Sequence, residues 1–198
     1  MLAFKDLKPF FRALFRYIGN GYTDCQISFI KEKKRQEYFL KRTDNKLTKK
    51  YLTNLTQGQR QYRRKKGLCN YQVFRYRDLL YIVLKSPGIE ELGEKWTCIY
   101  KQNLKLGEVL EVQIYVDERN KNTIKLTKNL LKDIRSKICL SIEKRKGYEF
   151  HSHLERLNNL AKVLPYRGLN MQLSDLLRDI NKWQKQHGTK WNVPKFFN

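Results

Sequence analysis

The chain is short of acid. Against 42 lysines and arginines stand 19 aspartates and glutamates, a formal net charge of +23 over 198 residues. It is also short of long apolar runs, and no stretch approaches the roughly 20 apolar residues that crossing a bilayer requires. The opening MLAFKDLKPFFRALFRYIG is interrupted by Lys5, Lys8, Arg12 and Arg16, which excludes the unbroken apolar region of a signal peptide. The four cysteines (Cys25, Cys69, Cys98, Cys139) are scattered, without the spacing of a zinc knuckle or a redox motif. They read as reduced core thiols of a cytosolic protein. A P-loop, a G-x-G-x-x-G turn and a G-x-S-x-G elbow are all missing, as are internal repeats and low-complexity linkers.

What is present excludes a disordered polycation. Hydrophobic residues make up 40% and aromatics 13%, enough to close a core. The length suits one substantial core, or a core with a helical appendage. Self-repulsion at +23 opposes compaction, so a partner that neutralises it is implied: nucleic acid or an anionic membrane surface. The first helix could lie on a membrane as a basic amphipathic element. Core packing is the preferred use of its apolar face, and a membrane partner is not expected.

Periodicity predicts the elements. Phe4, Leu7, Phe11, Leu14 and Ile18 mark a first helix closed by Gly19-Asn20-Gly21. CQISFIK and QEYFLKR flank a charged turn and read as an antiparallel hairpin. A helix with Leu47, Tyr51, Leu52 and Leu55 on one face follows. Next come YQVFRY and the continuous run LLYIVL, the latter a central strand. KWTCIYK and EVLEVQIYV read as two more strands. Three apolar stripes then predict three helices: Leu130 to Ile142, Phe150 to Leu164, and Leu169 to Trp183. The expected fold class is α+β. It has an antiparallel sheet of about six strands, a helix–hairpin–helix–hairpin start and a three-helix C-terminal part. The expected division is a basic nucleic-acid-binding core over residues 1–118 and a helical part packed on it over 119–198, with one single domain as the alternative.

The charge is segregated. Residues 31–77 hold 16 basic against 3 acidic side chains, residues 88–118 hold 3 against 7, and residues 119–198 hold 18 against 6. Inside the first region, five of the seven residues from Arg60 to Lys66 are cationic. In a helix Arg60, Arg63 and Arg64 share a face. Arginine offers a planar fork to phosphate oxygens or a guanine edge. One or two cations would suit the negative pole of a helix; five beside so basic a region point to phosphate contact. Nuclear localisation is the competing motif reading. The expected nucleic-acid-binding residues are Lys33, Lys34, Arg35, Lys49, Lys50, Arg60, Tyr62, Arg63, Arg64, Lys65, Lys66, Arg75 and Arg77. Arg75 and Arg77 alternate with Phe74 and Tyr76, so a ring face packing on helices would present an arginine face to the ligand. Such a face favours duplex or structured RNA over a bare single strand.

Three patterns could carry chemistry. His151-Ser152-His153 with Tyr166 resembles the HUH endonucleases. That resemblance implies histidines holding a divalent metal and a tyrosine attacking a phosphate. Ser152 stands where a bulky apolar residue belongs, and the stripe Phe150, Leu154, Leu157 puts both histidines on a helix, pointing apart. The segment FRALFRYIGNGYTDCQISFI resembles the opening of the LAGLIDADG homing endonucleases, whose order of elements matches through about residue 86. It implies sheet-mediated DNA binding and a metal-holding acid at the helix end. Gly19-Asn20-Gly21 occupies that place, and Asp24 is the nearest acid. The third pattern is the acidic middle: Glu90, Glu91, Glu94, Glu108, Glu111 and Asp117, which could supply Mg²⁺ ligands by convergence. The catalytic candidates are therefore Asp24, Glu111, His151, His153 and Tyr166, with Mg²⁺ as cofactor only for a nuclease. Neither fragment names a family.

The expected function is nucleic-acid binding, with DNA favoured and RNA the alternative, in a mobile-element, replication or recombination system. A metal-dependent site-specific endonuclease and an RNA-binding ribonucleoprotein component are the alternatives. The expected place is the cytoplasm, at the nucleoid, or an organelle.

Overall fold

The computed structural model describes residues 1–101, 104–106, 110–119 and 121–193. The chain divides into two compact units, Met1–Asn103 and Leu104–Asn198. Mixed α+β composition holds, but the single six-stranded sheet does not: strands form a five-stranded and a three-stranded sheet.

The first unit is built on a sheet of order β1-β3-β4-β2-β5: β1 (Leu2–Phe4), β2 (Asp24–Phe29), β3 (Tyr71–Tyr76), β4 (Leu80–Lys85) and β5 (Thr97–Cys98). The apolar run Leu80–Leu84 takes the centre, buried on both faces. β1 pairs with β3 in parallel, and the other pairings are antiparallel. Helix α1 (Leu7–Gly19) covers one face. Its Phe10, Phe11, Leu14 and Ile18 are fully buried, each contributing roughly 1.5–3 kcal/mol by area. Phe10 meets Tyr76 at 5.2 Å between ring centroids, and Tyr17 meets Phe74 edge-on at 5.4 Å. The main apolar stripe of α1 is thus used in the core, as expected.

Helix α2 (Glu37–Lys50) covers the opposite face. Leu40, Leu47 and Tyr51 join Tyr71, Val73, Tyr81 and Val83 in one cluster. The QEYFLKR strand is thus corrected to helix, and the first hairpin with it: β2 pairs with β4 and β5 instead. The three adjacent apolar residues Tyr38, Phe39 and Leu40 suit either period locally. Only the longer spacing Leu40, Leu47, Tyr51, which reaches this cluster, decides for helix.

Helix α3 (Gln57–Lys65) carries the basic run, which ends at its C-cap Lys66. Thr56 and Gln59 close a reciprocal capping box at its start. Its end is pinned to the loop after β4, where Ile89 N–H donates to Gly67 O at 2.8 Å. Gly88 has φ +137°, and a Cβ there would sit 2.6 Å from Cys69 N. Only glycine allows that approach.

In the second unit, β6 (Leu104–Lys105), β7 (Val112–Val116) and β8 (Asn122–Leu126) form an antiparallel sheet. The three helices α4 (Lys128–Glu143), α5 (Gly147–Val163) and α6 (Arg167–His187) follow the expected stripes. The expected division after 118 falls in the turn of the β7–β8 hairpin, and the two units divide after Asn103 instead. Gln172 of α6 accepts from Leu126 N–H at 2.7 Å and donates to Leu126 O at 3.2 Å. Its amide thereby takes the place of a neighbouring strand at the β8 edge.

Candidate nucleic-acid interface

Three cations lie on one ridge of α1. Lys8, Arg12 and Arg16 are spaced four apart, all exposed, and none has a carboxylate partner among the described residues. Like charges at that spacing cost a helix a few tenths of a kcal/mol per pair. Across from this ridge stands α3, whose Arg60 and Arg64 are also four apart. Between the helices runs a groove of about 960 Å³. Lys8, Arg12, Arg16, Arg60 and Arg64 line it, together with Leu2, Pro9, Ala13, Tyr17, Asn20, Tyr22 and Gln57. Its lining contains no carboxylate.

The five cations are not equivalent. Arg60 spends all five of its N–H donors inside the protein. Nε reaches Leu55 O (3.2 Å); one terminal nitrogen reaches Tyr22 Oη (3.2 Å) and Tyr71 O (3.1 Å). The other reaches Thr53 O (2.9 Å) and Gln72 Oε1 (3.3 Å). These acceptors are neutral, so Arg60 keeps its charge while its fork is occupied. It clamps the start of α3 to β3 and adds positive potential to the groove wall. Lys8, Arg12, Arg16 and Arg64 have donors to offer.

Arg63 does not join them. Nε and a terminal nitrogen donate to Cys69 O (3.2 and 3.1 Å), and Glu91 neutralises its charge. The expected shared face of Arg60, Arg63 and Arg64 is thus reduced to one free fork, Arg64. Tyr62, Lys65 and Lys66 are exposed away from the groove, with the Lys66 ammonium 4.8 Å from the Tyr62 ring centre. Lys33 and Lys34 are exposed in a short 3₁₀ turn, with Arg35 half-buried beside them, and none of the three lines the groove. Lys49 and Lys50 belong to α2, on the far side of the sheet from α1; Lys50 pairs with Glu94.

The arginine face of β3 is closed. Arg75 pairs with Asp44 of α2 at 3.2 Å, and Asp44 also accepts from Tyr81 Oη at 2.8 Å. Arg77 lies beyond the strand at φ +49°, its Nε held by Lys5 O at 2.7 Å. Phe74 and Tyr76 are buried against α1 as expected, but α2 covers the opposite face, which removes the basis for a duplex-reading sheet.

The acidic stretch acts within the fold. Glu91 and Glu94 hold Arg63 and Lys50. Glu90 accepts from Leu92 N–H at 2.9 Å and Tyr71 Oη at 3.3 Å. Burial, then Cys69 and Glu90, push the Tyr71 hydroxyl far above its usual range. Asp24 faces Lys85 across the β2–β4 ladder at 3.3 Å. Glu111, at φ +45°, is exposed in the second unit, where Asp117 accepts from Arg119 and Lys121 N–H and pairs with Arg167. Glu108 lies outside the described residues. His151 is exposed on α5 and His153 half-buried two residues on, so the rings diverge. Burial, then Arg156 and Lys137, lower the His153 pKa. Tyr166 follows the other end of that helix, ~15 Å of helix away from His153. Among the described residues no three His, Cys, Asp or Glu side chains are grouped to hold a metal. Nor is any described helix long and apolar enough to cross a membrane.

Sequence reasoning missed Lys8, Arg12 and Arg16 as site residues. The signal was present: three cations at i, i+4 and i+8 with no acid interleaved, on a helix whose other face is core. Comparison with known proteins gives no match among family models, curated proteins or solved structures.

Proposed function

We propose that the chain binds nucleic acid, holding its phosphates in the groove between α1 and α3. One observation carries this reading. The groove gathers five cationic side chains without a carboxylate, while Lys50, Arg63, Arg75 and Lys85 in the same unit each have an acid partner. The few acids of the unit are spent on those cations and none lines the groove, which leaves its clustered charge to an external anion. Lys8, Arg12, Arg16 and Arg64 contact the phosphates; Arg60 fixes α3 and strengthens the field. DNA is the favoured form, with RNA sharing the phosphate chemistry. The proposal is confined to binding, since among the described residues no three His, Cys, Asp or Glu side chains are grouped to hold a metal.

The test measures binding of a labelled 20-nucleotide oligomer, as DNA and as RNA, against phosphatidylserine vesicles. Nucleic acid is expected to bind with Kd of roughly 1–100 μM or tighter at physiological salt. Binding to vesicles with none to either oligomer would overturn the reading in favour of a lipid surface.

A further inference from the structure

The walls of the groove are cationic, but its floor is not. Leu2, Pro9 and Ala13 present apolar surface between the two rows of charge, and the half-buried Tyr17 adds a ring. That ring is fixed by edge-on contacts with Tyr22 at 5.3 Å and Phe74 at 5.4 Å between centroids. A pure phosphate site would have no use for such a floor. Exposed apolar atoms between arginines weaken the hydration of the site without adding to its charge.

Shape points the same way. A double helix carries its phosphates on convex ridges with the bases stacked inside, and proteins read it by inserting a protruding helix or ribbon. Here the protein is concave, and about 960 Å³ is the scale of a pocket filled by a small ligand. The bases of a duplex, stacked inside it, could not reach such a floor. A single strand turns its bases outward, so one strand can present bases to the floor and phosphates to the walls at once. The cations along α1 recur every four residues, ~6 Å of helix, and so offer successive contacts along a strand that follows the ridge.

We propose that the occupant of this groove is a single-stranded segment of nucleic acid, with bases on the Pro9–Ala13–Tyr17 floor and phosphates on Lys8, Arg12, Arg16 and Arg64. The inference rests on the phosphate-binding reading of the same groove and adds to it the strandedness of the ligand and the role of Tyr17. It reverses the preference for duplex that an open arginine face on β3 would have implied.

The experiment compares four ligands of one sequence with the full chain: single-stranded DNA, single-stranded RNA, the DNA duplex, and a DNA strand of abasic sites with the same phosphates. The single strands are expected to bind at least about tenfold more tightly than the duplex, and the abasic strand at least about tenfold more weakly than its base-bearing counterpart. Whichever of DNA and RNA binds more tightly identifies the sugar form. Tyr17→Leu, which keeps apolar volume, is expected to cost single-strand affinity roughly tenfold and leave the duplex unaffected. The abasic arm decides the matter without a variant should Tyr17→Leu unfold. Equal affinity for duplex, single and abasic strands, all lost in Arg12→Glu, would overturn the inference and leave phosphate binding in place. No binding by any of the four would overturn both.

Discussion

The double charge reversal Arg12→Glu with Arg64→Glu is expected to weaken nucleic-acid binding at least ~100-fold at low salt, with melting temperature unchanged. Each reversal puts a carboxylate beside a phosphate, and such like-charge contacts cost several kcal/mol, where 1.4 kcal/mol is tenfold. Stability should hold because both side chains are exposed and take part in no described hydrogen bond or ion pair. On α1, replacing Arg12 also relieves repulsion from Lys8 and Arg16. A reversal that leaves affinity within a factor of two would move the interface off this groove. The exposed Lys33, Lys34, Lys65 and Lys66 would then be the next residues to reverse.

Arg60→Ala is expected to do the opposite: lose stability first. The substitution strips five acceptors of their donor, among them the carbonyls of Thr53, Leu55 and Tyr71. Acceptors left without partners cost about 1–3 kcal/mol each when water cannot replace the bond, and the half-buried site admits some water. A loss of about 2–4 kcal/mol is expected in urea unfolding, against less than about 0.5 kcal/mol for Arg64→Ala. Arg60→Lys should not rescue it, because an ammonium cannot span acceptors contributed by α3's approach and β3 together. Unchanged stability in Arg60→Ala, with binding lost, would make Arg60 a ligand contact instead of a clamp.

These two arginines show how far the sequence carries. Their helix, its glycine end and the spacing that puts Arg60 and Arg64 on one ridge all follow from local pattern. Which of them is free depends on acceptors at Thr53, Tyr71, Gln72 and Tyr22, brought in by the fold. Arg75 was misplaced for the same reason: its partner Asp44 sits 31 positions earlier, on a helix whose first half, QEYFLKR, reads locally as a strand. Elements with long stripes were legible, as α1 and α4 to α6 show. β1 was not, since three residues carry no period, and its pairing with β3 spans 72 positions. The acidic stretch after residue 88 was visible as charge. Its use as counter-ions for Arg63 and Lys50 appears only when the loop is folded against α3 and α2.

The most direct measurement is the salt dependence of affinity, for the native chain and for a variant with Lys8, Arg12, Arg16 and Arg64 all changed to Ala. Each phosphate contact with a single strand releases ~0.7 counter-ion. The slope of log Kobs against log salt concentration is therefore expected to be about 3 units shallower in the variant, with the fold intact. Equal slopes in the two proteins would contradict the account, for the groove would then hold no phosphates.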